Sequence, residues 1–258
     1  MGILNVTPDS FSDGGRYCDL EAAVAHARRL IAEGANVVDV GGESTRPGAA
    51  PVDAATERAR VVPVIAAVAP HVRVSVDTSK AAVAEAAIEA GATLLNDVSA
   101  SLHDVAAAHG VGWVAMHMQG EPRTMQQAPR YADVVADVLA FLRARGEAAV
   151  AAGVGEVWID PGIGFGKTAE HNLCLLAHLD RLVASGFPVL VGTSRKAFLG
   201  RLLAGDEGTV GVDDRLEGSL ATAVWAMAWG AAMVRVHDVR PTVEAARVVA
   251  APAQPRAA

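Results

Sequence analysis

Two cations follow one of the most apolar runs in the chain. The run of residues 188–192, Pro-Val-Leu-Val-Gly, is followed by Thr193, Ser194, Arg195 and Lys196. A cation at this place can bind a carbonyl-bearing or anionic ligand, and it can also be a charge that simply reaches solvent where a strand surfaces. The residues at the ends of the other apolar runs therefore decide which interpretation is better.

Polar side chains follow seven further apolar runs. In chain order they are Asn5 and Thr7; Asp39, Glu43, Ser44, Thr45 and Arg46; Ser75, Asp77 and Thr78; Asn96 and Asp97; Met116, His117 and Gln119; Asp160; and Arg235, His237 and Asp238. One Asp after a strand is usually a turn residue or a helix N-cap. A convergent set needs polar partners, so it indicates a ligand site or, alternatively, a set of internal salt bridges. For Asp39, Asp97 and Asp238 taken singly, ion pairing or helix capping is the simpler interpretation.

The runs that carry these endings predict parallel strands covered on both faces. They are residues 3–6, 37–40, 72–76, 93–96, 112–116, 157–160, 188–191 and 233–236, and they are continuously apolar rather than alternating. Eight such strands alternating with helices predict an α/β fold, a single (β/α)8 TIM barrel with eight parallel strands. A doubly wound open sheet is the alternative, but no glycine-rich loop follows the first run. In a barrel the polar endings share one face, where active sites lie.

The segments between the strands have the 3.6-residue period of amphipathic helices. Over residues 19–34 it predicts a helix with Asp19 as N-cap and Gly34 as its stop. Similar stops are expected at Gly91, Gly110, Gly153 and Gly186. We expect the barrel to span residues 1–250 and the Ala/Pro-rich residues 251–258 to form a disordered tail.

Composition narrows the classes of function. The 258 residues carry a net charge of −7, which argues against general nucleic-acid binding, so an anionic ligand would need a local cluster of cations. We expect no membrane span, since there is no apolar run of about 18 residues. Two cysteines, Cys18 and Cys174, and the lack of a signal peptide predict a cytoplasmic protein.

Eight sequence strings resemble, in order, those of the dihydropteroate synthases. They are residues 2–13 (GILNVTPDSFSD), 39–48 (DVGGESTRPG), 75–78 (SVDT), 96–97 (ND), 116–117 (MH), 160–167 (DPGIGFGK), 194–196 (SRK) and 235–237 (RVH). The resemblance implies a folate-pathway enzyme that joins 6-hydroxymethyl-7,8-dihydropterin diphosphate to 4-aminobenzoate and releases pyrophosphate by an SN1-like substitution. It also implies Mg2+ as cofactor, a homodimer and sulfonamides as inhibitors.

The same resemblance implies a role for each site residue. The pterin would be bound by Asp77, Asn96, Met116, Asp160, Lys196 and Arg235, and the diphosphate by Asn5, Thr45, Arg46, Arg235 and His237, with Asn5 also on the metal. The residues that would frame the 4-aminobenzoate are Pro8, Phe11, Thr45, Arg46, Pro47, Phe165 and Ser194. The two loops of residues 5–13 and 44–48 would close over the site as a lid. Catalysis would rest on Asn5, Arg46, Lys196, Arg235 and His237, whereas Arg195 would pair structurally.

Some alternatives stay open at this point. His237 could be a satisfied core histidine, and Phe165 could pack under its own loop. Ala100 and Ser101 stand where the family often has glycines, so the loop after the fourth strand is expected to differ in shape. The rival functions are a pterin-dependent methyltransferase barrel, which gives no reason for residues 45–47 or 194–196, and a non-catalytic pterin-binding paralogue, against which Asn5, Arg46, Lys196 and His237 argue.

Overall fold

The computed structural model describes residues 1–7, 15–44 and 50–250. Within these residues each predicted apolar run gives a strand. The strands are β1 (Gly2–Asn5), β2 (Val37–Gly41), β3 (Arg73–Asp77), β4 (Leu94–Asp97), β5 (Gly112–Met116), β6 (Val157–Asp160), β7 (Leu190–Val191) and β8 (Met233–Val234). All of their pairings are parallel.

The strands close into a barrel. Strands β1 to β6 pair in chain order, and β7 pairs with β8. Single parallel bridges, Ile159 with Val189 and Gly2 with Val236, join the two sheets on both sides. At the second seam the Ile3 amide donates to the Val236 carbonyl at 2.9 Å. The predicted (β/α)8 barrel is confirmed, and β7 and β8 are shorter than their apolar runs because only two residues of each keep regular pairing.

Helices cover the outside of the barrel. They are α1 (Gly15–Ala32), α2 (Ala54–Val68), α3 (Ala81–Glu89), α4 (His103–His109), α5 (Val134–Ala151), α6 (Ala169–Ala177), α7 (Leu179–Val183), α8 (Ala197–Ala204), α9 (Leu216–Ala228) and α10 (Val239–Val249), with a 3-10 turn at Gly205–Glu207. None of the helices in the described part of the chain is long and apolar enough to cross a membrane.

The helix ends follow the expected chemistry with one exception. The five predicted glycine stops, from Gly34 to Gly186, all have positive φ. Asp53, Asp133 and Thr168 cap α2, α5 and α6 through their side-chain oxygens. The prediction of Asp19 as an N-cap was wrong, because α1 begins at Gly15. Asp is common at N-caps but also occurs inside helices, and the apolar stripe continues upstream of Asp19 through Tyr17.

The core has two layers set by strand alternation. Outward side chains such as Val38, Val40 and Val76 pack under the helices. Inward side chains fill the lower barrel with an apolar plug of Met1, Val37, Leu94, Val114 and Leu190. Two residues further along β2 and β4 the same inward direction recurs, and there the side chains are the polar Asp39 and Asn96. The apolar plug thus forms the floor of a polar site. The division into residues 1–250 and a tail stays a prediction, because residues 251–258 lie outside the described part.

Candidate active site

The inward positions at the carboxyl ends of the strands bring most predicted pterin residues together. Strand register places Asp77 beside Asn96 and Met116 beside Asp160. Asn96, Met116 and Asp160 are all at most 5% exposed. Because these side chains project into one barrel mouth, residues far apart in the chain share a single pocket.

Arg235 is the hub of this cluster. Its Nε donates to Asp39 Oδ2 at 2.6 Å, and one terminal nitrogen donates to Asp77 Oδ2 at 2.8 Å. Asp39 is completely buried and Asp77 nearly so. Burial works against the charge of Arg235, but the two carboxylates outweigh it and hold the pKa of Arg235 above its usual range. The guanidinium is therefore fixed in position and orientation.

Asp39 also fixes the amide of Asn96. The Asn96 Nδ2 donates to the same Asp39 Oδ2 at 3.0 Å. A carboxylate only accepts hydrogen bonds, so it must face the amide nitrogen of Asn96, and the amide oxygen is directed elsewhere. Asn96 therefore offers an acceptor to a ligand in the pocket.

Asp160 and Lys196 form the opposite side of the pocket. Asp160 Oδ1 accepts from the Gly162 amide at 2.7 Å. Lys196 Nζ donates to the Ile163 carbonyl and lies 4.4 Å from the centre of the Phe165 ring. The Phe165 ring thus contacts a residue outside its own loop, and its role against a ligand stays a prediction.

Burial shifts the pKa values of the ionisable side chains in the pocket. Burial raises the pKa of Asp77 to about 7; Arg235 opposes the shift, and the negative charge of Asp39 adds to it. Burial also raises the pKa of Asp160, against the pull of Lys196. It lowers the pKa of Lys196 to about 8, where Asp160 opposes it and Arg235 adds to it. Groups poised in this way are typical of ligand and catalytic sites.

The predicted diphosphate residues that are described lie at the same rim. The Nδ1 atom of His237 lies 3.0 Å from Ser194 Oγ, which also accepts from the His237 amide at 3.1 Å. His237 is thus held at the strand ends rather than in the core. Asn5 Oδ1 and Asp77 Oδ2 both lie within 4 Å of where a Cβ on Gly41 would be, so Gly41 leaves room for two converging oxygens.

Part of the predicted site lies outside the described residues. This holds for Pro8, Phe11, Thr45, Arg46 and Pro47, and for most of the two predicted lid segments, 5–13 and 44–48. Their roles stay predictions.

Several polar strand endings serve the fold instead of the pocket. Asp97 accepts from the amides of Ser99, Ser101 and Leu102 and from the Trp113 indole. The loop after β4 is held by this carboxylate, with Ala100 at a φ of +50°.

Arg195 and Asp238 are paired with each other at 2.7 Å, as expected for Arg195. Lys80 lies 2.5 Å from both Glu43 and the fully buried Glu57. These ion pairs brace the rim of the barrel and leave the pocket to the other polar endings.

Sequence reasoning gave Asp39 no place in the site, although it positions both Asn96 and Arg235. The signal was present, since Asp39 is the one charged residue in the apolar run 37–40 and has an inward register. The pair of His117 and Lys167 was also missed as a unit. Lys167 is 2% exposed and lies at the end of a glycine-rich motif, where a lysine is ordinarily solvated.

The fold and the pocket define a (β/α)8 barrel whose buried charged and polar side chains gather at the carboxyl ends of its strands. The family model described as pterin binding enzyme matches residues 1–237. The chain therefore belongs to the pterin-binding enzymes.

Named relatives narrow the class. The chain is 51% identical to dihydropteroate synthase of Mycobacterium leprae, covering 97% of this chain and 92% of the relative. It is 48% identical to that of Escherichia coli, with 97% and 90% covered.

Solved structures agree with these relatives. Dihydropteroate synthase of Xanthomonas albilineans, solved with 4-aminobenzoic acid, has a TM-score of 0.89 at 47% identity, over 98% of this chain and 93% of that one. The same enzyme with 7,8-dihydropteroate gives 0.86 at 44% identity, over 98% and 94%. The Yersinia pestis enzyme in a sulfonamide complex gives 0.89 at 48% identity, over 96% and 92%. Among pterin-binding enzymes, this chain is thus of the dihydropteroate synthase kind.

Proposed function

We propose that the chain condenses 6-hydroxymethyl-7,8-dihydropterin diphosphate with 4-aminobenzoate to give 7,8-dihydropteroate and pyrophosphate. The observation that carries the proposal is the pocket in which Arg235, held by Asp39 and Asp77, faces Asn96, Asp160 and Lys196. The dihydropteroate synthase relatives, matched over nearly their whole length, support the same reaction.

The pterin edge suits the acceptors of the pocket. A pterin presents an amidine-like pair of donors, which a carboxylate accepts in bidentate fashion as it accepts a guanidinium. We assign this edge to Asp160 and Asn96, whose acceptor oxygen is set by its bond to Asp39. Asp77 completes the acceptor set, and Met116, buried beside Asp160, supplies an apolar contact for the ring.

The cations suit the remainder of the ring. Lys196 would donate to the ring carbonyl and to N5 of the pterin, and in doing so it would give up its hydrogen bond to the Ile163 carbonyl. The planar guanidinium of Arg235 would lie against the ring face. The two bonds from Arg235 to carboxylates hold its plane before the ligand arrives, which lowers the ordering cost of binding.

The leaving diphosphate needs donors at the rim. His237, held by Ser194, and Arg235 would donate to it together with Thr45 and Arg46. When bound, Mg2+ would neutralise charge on the departing oxygens. Its protein ligand would be the carboxamide oxygen of Asn5. Among the described residues no group of three or more His, Cys, Asp or Glu side chains could hold a metal, so such an ion would take most ligands from diphosphate and water.

Departure of diphosphate from an electron-rich dihydropterin would leave a delocalised cation, which the amine of 4-aminobenzoate then captures. The chain must therefore stabilise the leaving anion and keep water from the same carbon. Phe165 and Ser194, with Pro8, Phe11, Thr45, Arg46 and Pro47, would frame the amine.

The test is a turnover assay with the dihydropterin diphosphate, 4-aminobenzoate and Mg2+. We expect one pyrophosphate for each dihydropteroate formed, and inhibition by a sulfonamide that competes with 4-aminobenzoate. Binding of the pterin without any product would instead support the non-catalytic paralogue. A homodimer and a cytoplasmic location also remain proposals, to be tested by sedimentation and by fractionation.

A further inference from the structure

Lys167 is a buried cation with no assigned role in the reaction. Its Nζ lies 3.0 Å from the Gly162 carbonyl, 3.0 Å from the Phe165 carbonyl and 2.9 Å from His117 Nδ1, with the His117 carbonyl at 3.3 Å. Among the described residues it forms no salt bridge. We call this arrangement the lysine cage.

The geometry of the cage fits an ammonium. The three carbonyls at 3.0–3.3 Å require three N–H donors, which only the charged lysine has. Burial, reinforced by Lys167, lowers the pKa of His117 to about 3, so the imidazole is neutral, and in the tautomer that carries its proton on Nε2 the Nδ1 atom also accepts from this ammonium. Burial also lowers the pKa of Lys167 to about 7, with Lys196 adding to the shift and Asp160 opposing it. The chain keeps this costly cation because carbonyl dipoles surround it.

The cage joins two loops. His117 follows β5, whereas residues 161–168 form the loop after β6. A Cβ on Gly162 would lie 1.8 Å from the His117 carbonyl, and one on Gly166 would lie 2.3 Å from the Gln119 carbonyl. The two backbones therefore lie in direct contact, and Lys167 is the side chain that bonds across their junction.

The caged loop supplies the wall around Lys196. The Ile163 carbonyl accepts from Lys196, and the Phe165 ring lies over the same ammonium. Ile163 lies between Gly162 and Phe165, whose carbonyls Lys167 holds. Any shift of this turn would move the Phe165 side of the pocket first. Asp160 accepts from the Gly162 amide but stands at the end of β6 itself, and Asp77 and Asn96 stand on β3 and β4, so these pterin acceptors are held by strands and not by the caged turn.

We propose that Lys167 is a positioning residue for the second-substrate subsite, acting through the cage on the turn that carries Ile163 and Phe165. The assignment rests on the proposed function, which places 4-aminobenzoate against Phe165. Removing the cage should therefore weaken the use of 4-aminobenzoate while the pterin side of the pocket is retained.

The test compares Lys167→Met with the wild-type chain and with Arg73→Met. Arg73 pairs with Glu156 at the opposite end of the barrel, so its variant loses a cation and some stability away from the site. We expect Lys167→Met to raise KM for 4-aminobenzoate roughly tenfold or more, because small misplacements of a positioning wall are costly. The Kd of the dihydropterin diphosphate, measured by calorimetry, should change less than threefold, roughly the scatter between measured contributions. In Arg73→Met neither constant should change.

Amide hydrogen exchange provides a readout that does not depend on activity. Residues 162–168 should exchange faster in Lys167→Met than in Arg73→Met at equal distance from the unfolding transition. If Lys167→Met does not fold, Lys167→Gln, which keeps two N–H donors, replaces it. The same comparison between KM for 4-aminobenzoate and Kd for the dihydropterin diphosphate then decides. An unchanged KM, or a loss of pterin affinity as large as the loss for 4-aminobenzoate, would overturn the proposal. A wild-type chain without turnover would refute the proposed function. In that case hydrogen exchange in residues 162–168 would still test whether the lysine cage holds this loop in place.

Discussion

At the scale of single residues, the site is built from charges that burial destabilises and neighbours compensate. Asp39 illustrates this: one of its oxygens accepts from both Asn96 and Arg235, while its Oδ1 is buried without a hydrogen bond among the described residues. An unpaired buried oxygen costs stability, so the carboxylate is retained for what it positions.

Asp39→Asn should lower the pKa of Asp77 from its value of about 7. Burial is the main cause of that raised pKa, and the negative charge of Asp39 raises it further. Without the Asp39 charge, the positive charge of Arg235, which lowers the pKa of Asp77, is less opposed. Pterin affinity should fall roughly tenfold, because Asn96 and Arg235 lose a charged hydrogen-bond acceptor worth about 1.5–3 kcal/mol. NMR titration of the carboxyl carbons and calorimetry would measure both. Glu156→Gln, at the far end of the barrel, is the control, and an unmoved Asp77 titration would contradict the assignment.

Lys196→Met should abolish measurable pterin binding while the far-ultraviolet circular dichroism stays native. In the wild type, affinity should also decline as pH rises through about 8, because the pKa of Lys196 is lowered to that value and the neutral amine is a weaker donor. Calorimetry of the wild type between pH 6 and 9.5 would show the alkaline limb, whereas Lys196→Met should give no binding heat at any pH in this range. Wild-type affinity that is constant over this range would remove Lys196 from the pocket.

At the scale of elements, the loop after β6 is tightly constrained by its neighbours. Gly162 has a φ of +63°, its amide donates to Asp160, and its α-carbon faces the His117 carbonyl. Gly155 stands before the same strand, and a Cβ there would meet open space. The two glycines thus offer a matched pair of substitutions.

Gly162→Ala should destabilise the chain by at least about 1–2 kcal/mol, the cost of a left-handed residue with a side chain, before the clash with His117 is added. It should also abolish turnover, because Asp160 and the turn that carries Ile163 would move. Gly155→Ala should leave both properties near those of the wild type. Denaturant unfolding and the turnover assay measure these effects. Tolerance of Gly162→Ala would show that the loop can relax away from β5.

At the scale of the whole molecule, the extent of pairing between neighbouring strands differs around the barrel. Strands β1 to β6 form a continuous ladder, whereas a single bridge joins β6 to β7 and another joins β8 to β1, where hydrogen bonds of Met1 and Ile3 with residues 234–236 strengthen the seam. The site spans the second seam, since Arg235 follows β8 and bonds to residues of β2 and β3. Ligand binding should thus tighten this closure.

Hydrogen exchange should show this unevenness. Amides of residues 189–191 and 233–236 should exchange faster than those of β2 to β5, because β7 and β8 keep only two regularly paired residues each. Addition of the pterin should slow exchange at residues 233–236 more than at residues 189–191, since Arg235 is carried by the former. Uniform protection around the barrel would show that the seams are as stable as the ladder.

The barrel, the order of its strands and the polar endings that converge on one face could all be predicted from the amino-acid sequence. These features depend on local patterns: continuous apolar runs, glycine stops and the polar residue at each strand end. The described residues from Asp77 to Arg235 lie together as expected, and their pterin roles, which the matching strings imply, stay predictions. Which polar endings face the pocket became clear from the three-dimensional arrangement alone. Asp97 binds its own loop and Arg195 pairs with Asp238, while Asp39 and Lys167 position the site. The reason is that the hydrogen-bond partners of these side chains can lie far away in the chain. Asp39 accepts from Asn96, 57 residues away, and from Arg235, 196 residues away, and a local sequence pattern holds no information on such pairings.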